Sequence, residues 1–203
     1  TFTGTAEIDV EILKPTSHLV LNSIELTIHS ASVVINGTTH TAVTTLDDET
    51  ERLTLTLDGE VAAGPATVQV AFDGILNDQL HGFYRSTYTA DDGTEHTIAT
   101  TQFQSTDARR CFPCWDEPEY KATFETTLIV DADHLAVTNT SEVAETTLDD
   151  GRRRIQYAPT MVMSTYLVAF VVGPLEATES IHAGGVPIRV VHRPGQGDRT
   201  SFA

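Results

Sequence analysis

The sequence predicts an all-β fold built from several sheets. Three features point there: apolar and polar residues alternate along much of the chain, turn residues interrupt that alternation at short intervals, and helical periodicity is scarce. A strand sends successive side chains to opposite faces, so a half-buried strand alternates, whereas a surface helix repeats every three to four residues. Dense short strands separated by turns pack as a β-sandwich or a twisted multi-sheet unit.

The first element is the clearest. Phe2, Gly4, Ala6, Ile8, Val10 and Ile12 alternate with Thr, Glu and Asp, which predicts one long strand. Val33-Val34-Ile35 then runs through Asn36-Gly37 into Thr38-Thr39, a hairpin in which Asn-Gly accepts the positive φ angles of a type I′ turn. Leu53, Leu55 and Leu57 repeat the alternation, as do Val68, Val70 and Phe72. Turns are predicted at Asp47-Asp48, Asp58-Gly59, Gly64-Pro65, Asp91-Asp92-Gly93 and Asp149-Asp150-Gly151. One short helical turn is predicted near 106–112, with Thr106 capping its free amides and Pro113 ending it. The continuously apolar run Tyr166–Val172 predicts a strand buried on both faces and closed by Gly173-Pro174. The stretch from Pro194 to Asp198 reads as turns.

Composition excludes several classes of function. The 203 residues are 40% hydrophobic, and a chain of that size buries about 70% of its unfolded surface, enough for a real core. The net charge of −17 repels a phosphate backbone, so no nucleic-acid partner is expected. No apolar run approaches the roughly 18 residues needed for a membrane helix, and no basic amphipathic anchor is present, so no membrane partner is expected. Thr1 already lies in a strand-like pattern without a signal peptide; the compartment stays open, with the cytoplasm favoured.

A search for catalytic groups finds little. The two cysteines, Cys111 and Cys114, have the spacing of a redox or half-zinc motif, but no second ligand pair lies beside them, and packed reduced thiols are expected. No two of the eight His residues stand four apart, and no Gly-x-Ser-x-Gly elbow or phosphate loop occurs. The sequons at Asn36 and Asn139 are of the kind a Thr-rich sequence produces by chance, and Asn36 already has a role as a turn residue.

One segment stands apart: Thr101-Gln102-Phe103-Gln104, then Thr106-Asp107-Ala108-Arg109-Arg110, then Cys111-Phe112-Pro113-Cys114-Trp115-Asp116-Glu117-Pro118. Read as a strand, its first block puts Gln102 and Gln104 on one face and Phe103 toward the core. Two neighbouring amides can supply donors and acceptors to a polar ligand, although the pattern alone favours ordinary exposed strand polars. Arg109 and Arg110 precede Asp116 and Glu117 across a tight turn, so an ion pair bracing the loop is expected.

This segment resembles the N-terminal-domain signature of the zinc aminopeptidases of the aminopeptidase N type. Their usual form is Thr-Gln-Phe-Glu, a Thr-Asp-Ala-Arg element, Phe-Pro-Cys with an aromatic, and Asp-Glu-Pro. Gly82-Phe83-Tyr84-Arg85-Ser86 upstream, and Lys121-Ala122-Thr123-Phe124 and Met163-Ser164-Thr165-Tyr166-Leu167-Val168-Ala169-Phe170 downstream, resemble further blocks of that family in the same order. The likeness extends over essentially the whole chain.

The resemblance implies a saddle-like all-β unit that caps a separate catalytic domain. Residues 1–203 would then be the single N-terminal β domain of a larger aminopeptidase. The family's His-Glu-x-x-His and Gly-x-Met-Glu-Asn motifs are not in this sequence. No catalytic residue, metal ligand or cofactor is therefore expected in these residues, and zinc is expected in the separate catalytic domain. The expected partners are peptide substrates with a free N-terminus and the chain's own catalytic domain. By the same resemblance, Gln102 lines the pocket for the substrate's first side chain, and Gln104 stands where the family often has a Glu that holds the α-ammonium. An amide there accepts a hydrogen bond but brings no charge. The alternative reading, a free-standing acidic β-sandwich for adhesion or carbohydrate binding, leaves the Gln102–Pro118 block unexplained.

Overall fold

The computed structural model describes residues 1–201; Phe202 and Ala203, the end of the expected 1–203 domain, lie outside the described residues. The protein is all-β, and among the described residues helix is confined to three short 3-10 turns. The chain forms two compact units. The first contains Thr1–Tyr84, Thr101–Ala122 and Val162–Val168; the second contains Arg85–Thr100, Thr123–Met161 and the chain from Ala169 onward.

The first unit is dominated by an antiparallel sheet of β1 (Phe2–Ile12), β2 (Thr16–Asn22), β3 (Leu26–Ile35), β4 (Thr38–Asp47), β5 (Arg52–Val61) and β6 (Gly64–Gly74), in the spatial order β1-β6-β3-β4-β5-β2. Register follows the hydrophobic pattern. Ile8 faces Val68, which faces Val33 on the other side, so one rung carries three apolar side chains to the same face. Leu21, Leu53, Leu55, Val33 and Val68 are almost wholly buried there, each contributing about 1.5–3 kcal/mol of transfer free energy. The predicted hairpin is present, with Asn36 at φ 49° and Gly37 at φ 77°. Gly4, an inward position of β1, is glycine because the Phe72 ring lies over it: a Cβ there would stand 2.5 Å from the ring. Gly74 is covered in the same way by Phe2, whose ring meets Phe83 edge-on at 5.0 Å.

The chain changes units within β7 (Gly82–Thr89) and β8 (Glu95–Gln102). It then adds β9 (Lys121–Ala122), β10 (Thr127–Val130), β11 (Leu135–Thr138), β12 (Glu142–Thr147), β13 (Arg153–Tyr157), β14 (Met163–Ser164) and β15 (Phe170–Gly173). The second unit holds a sheet in the order β10-β13-β12, and β11, β15, β8 and β7 form another. Val130, Ile155 and Tyr157 make its small core, with Leu128, Ala136 and Val172 packed on it.

Three predicted elements differ. Asp58-Gly59 is not a turn but part of a bulge inside β5: His18 pairs with Thr56 while Thr16 pairs with Val61, and Gly59 takes φ 102° to absorb the surplus residues. Gly64-Pro65 opens β6, so the reversal lies just before it. The run Tyr166–Val172 is not one buried strand. Thr165–Leu167 form a 3-10 turn, Leu167 is 48% exposed, and only Phe170–Gly173 is strand. The break is tied by the Thr165 hydroxyl, which donates to the Trp115 carbonyl at 3.0 Å.

Candidate functional site

The distinctive segment lies in the first unit. β8 ends at Gln102, so Gln104 is not on the strand as predicted; it belongs to a tight turn over residues 104–107. The predicted alternation survives nonetheless, with Gln102 and Gln104 exposed on either side of Phe103, which is 2% exposed. The Gln102 side-chain amide donates to the Gln104 carbonyl at 3.4 Å. The two glutamines are thus exposed polar residues flanking a buried aromatic, with Gln104 the first residue of the turn.

Both ends of this turn are held in the core. At one end the Phe103 ring meets Phe112 edge-on at 5.9 Å. At the other, the Asp107 amide donates to the Phe103 carbonyl at 2.9 Å, and Ala108–Arg110 form a 3-10 turn. The helical element is thus three residues rather than the predicted 106–112. Asp107 rather than Thr106 occupies its cap position, and no side chain caps it.

The expected ion pair is present and larger than sequence suggested. Arg109, 8% exposed, donates through Nε to Asp116 at 3.0 Å, through its backbone amide to the same oxygen at 3.2 Å, and through a terminal nitrogen to Glu51 at 2.9 Å. Arg110 reaches Glu25 at 2.6 Å, Asp107 at 2.9 Å and Glu51 at 3.6 Å. Glu117, the other predicted partner, is exposed. Glu25 and Glu51 were missed because they lie far off in sequence, and both take positive φ, 61° and 54°, which no glutamate signals in advance. Asp116 is 1% exposed, and one of its oxygens is enclosed without a hydrogen-bond partner among the described residues. Burial pushes its carboxyl above the ordinary value, and the bonds from Arg109 draw it back only in part. Arg110 is held above its ordinary value: burial acts to lower it, but Asp107 and Glu25 together prevail.

Asp116 also ties the loop to β2. Its amide donates to the Asn22 side chain at 3.2 Å, and Asn22 exchanges backbone hydrogen bonds with Cys114 at 2.7 and 3.1 Å. Cys111 and Cys114 are free and buried. Burial pushes both thiols up, with the nearby Asp116 charge adding to the effect at Cys114, so both are protonated packing groups at neutral pH. Phe112 and Trp115 are half-buried against the main core.

Among the described residues no group of three His, Cys, Asp or Glu side chains is placed to hold a metal ion.

The family described as the Peptidase M1 N-terminal domain matches residues 1–167. Over all of this chain, the sequence is 39% identical to Aminopeptidase M1 of Arabidopsis thaliana, of which it covers 23%. It is also 39% identical to the Puromycin-sensitive aminopeptidase of Caenorhabditis elegans, covering 22% of it, and 38% identical to the Alanine/arginine aminopeptidase of Saccharomyces cerevisiae, covering 24%. The chain thus spans about a quarter of the length of these relatives. With the match running from β1 through the glutamine edge and the arginine-braced loop, the chain belongs to the peptidase M1 family, as its N-terminal domain.

Proposed function

We propose that residues 1–203 are the non-catalytic N-terminal domain of a zinc-dependent aminopeptidase that removes N-terminal residues from peptides. In this reading the domain caps the catalytic domain, which carries the zinc, and contributes one wall of the pocket for the substrate's N-terminus. The observation that supports it is the exposed Gln102–Gln104 edge over buried Phe103, in a chain whose full-length relatives bear aminopeptidase names. Gln102 faces the first side chain of the peptide, and the Gln104 side-chain oxygen accepts a hydrogen bond from the α-ammonium. When bound in the catalytic domain, zinc would polarise the first peptide carbonyl; this domain's share is to bind and orient.

The test uses the full-length protein and aminoacyl reporters that vary in the first side chain, each with a free or an acetylated amine. The reading expects hydrolysis of the free-amine reporters alone, lost on chelation. It also expects Gln102→Ala to reorder preference among first side chains. Equal cleavage of acetylated reporters, or an unchanged order in the variant, would contradict it.

A further inference from the structure

We propose that Arg109 is a positioning residue: it acts through Gln104, holding the 104–107 turn so that the Gln104 side-chain oxygen meets a substrate ammonium. This rests on the pocket role proposed above for Gln102 and Gln104. Gln104 is exposed on a short turn and has little of its own to fix it. Its position is set by the residues on either side, Phe103 and Ala108, which are 2% and 0% exposed. The Asp107–Phe103 backbone bond closes the turn at 2.9 Å. Immediately after it comes Arg109, which is anchored on every side. Its Nε and its amide donate to Asp116, its terminal nitrogen donates to Glu51 across the β4–β5 connection, and its carbonyl accepts from the Ile24 amide at 3.2 Å.

Two further observations indicate that this anchor is a built device. Glu25 and Glu51, which grip the arginine pair from separate strand connections, both occupy the left-handed region, a costly backbone for a glutamate that surrounding structure must enforce. Asp116 is placed under Arg109 with its side chain wholly enclosed, so the guanidinium sits above a fixed charge. A planar guanidinium that bonds two carboxylates at once has one orientation, which lysine cannot reproduce. Gln104 stands only five positions before Arg109 in the chain, which offers it little slack to wander.

The experiment is a double-mutant cycle in the full-length enzyme, using Arg109→Met, Gln104→Ala and the pair, with steady-state kinetics on free-amine and acetylated reporters and a thermal midpoint for each variant. Arg109→Met is expected to raise KM for free-amine reporters about tenfold while kcat changes little, as when ground-state binding is lost. In the Gln104→Ala background the same change should leave KM within about twofold, although it still lowers the thermal midpoint. Contacting or coupled residues show such non-additivity, whereas independent ones do not. Arg109→Lys is expected to recover less than half of the loss. If Arg109→Met does not fold, Glu51→Gln, which leaves the Asp116 bond in place, carries the same cycle with a smaller effect. KM effects of Arg109 and Gln104 that simply multiply would overturn the positioning role while leaving the pocket intact. If Gln104→Ala and Gln102→Ala both match the unaltered enzyme, the pocket reading falls and the positioning role falls with it.

Discussion

Asp116 shows how a single side chain organises this domain. Enclosing a carboxylate costs several kcal/mol, and the cost is offset only by close, well-oriented donors. Arg109 supplies two of them, one from its side chain and one from its backbone. Arg109→Met should therefore destabilise the 203-residue chain by about 3–5 kcal/mol at pH 7. The loss should depend on pH. Without Arg109, the folded-state carboxyl of Asp116 moves further above its unfolded value than burial already holds it. A group raised in this way contributes its stability fully below the unfolded pKa and loses it as pH rises through the folded one. The variant's deficit is thus expected to be largest near neutrality and to shrink toward pH 4. Asp47 and Asp73, lowered first by side-chain hydrogen bonds from Thr50 and His29, have the opposite sign but cancel between the two proteins. Urea titrations of both proteins at the two pH values check this; a deficit that does not change with pH would remove Asp116 from the account. At the same scale, Cys111 and Cys114 should resist thiol labelling in the native state and react on unfolding, because each is a buried, protonated thiol. The Arg109–Asp116 pair was legible because both partners lie in one short block. Glu51 was not, since it stands 58 residues from Arg109 and only the fold brings it there.

At the scale of elements, the sheet of the first unit uses rings in place of side chains at two of its glycines, Gly4 and Gly74. Gly74 sits under Phe2, and a Cβ there would come within 2.2 Å of the ring. Gly74→Ala should cost about 1–3 kcal/mol through overpacking, and Phe2→Leu in the same protein should recover part of it. Chemical denaturation of the two variants measures this; a neutral Gly74→Ala would show that the ring moves aside freely. The β1 alternation was readable because one face of that strand is solvated, so polarity reports orientation directly. The run Tyr166–Val172 was not, because a continuous apolar stretch carries no period and fits strand and irregular backbone alike. What breaks it is distant: the Trp115 carbonyl takes the Thr165 hydroxyl, and the Asn139 side chain takes the Ala169 amide at 2.8 Å. The glutamine edge was half legible for a related reason. Exposure of Gln102 and Gln104 about buried Phe103 follows from polarity, whereas β8 ends at Gln102 where the turn closed by the Asp107–Phe103 backbone bond begins.

At the scale of the whole molecule, the chain spans about a quarter of its aminopeptidase relatives, and the function proposed above gives it a share in binding rather than in reaction. Residues 1–203 expressed alone should fold as a β protein, hold no zinc near one equivalent, and leave aminoacyl reporters intact; metal analysis and a reporter assay read both outcomes. The proposed role of Gln104 belongs to the full-length protein, in which the glutamine edge would meet the substrate's amine. A neutral acceptor contributes about 0.5–1.5 kcal/mol to such a bond and a charged one about 1.5–3. The most direct test is therefore steady-state kinetics of full-length Gln104→Glu on matched free and acetylated reporters. The account predicts tighter binding of the free-amine substrate, about tenfold for each 1.4 kcal/mol gained, with no change for the acetylated one. Identical parameters for variant and unaltered enzyme on both substrates would contradict it and return Gln104 to an ordinary surface polar residue.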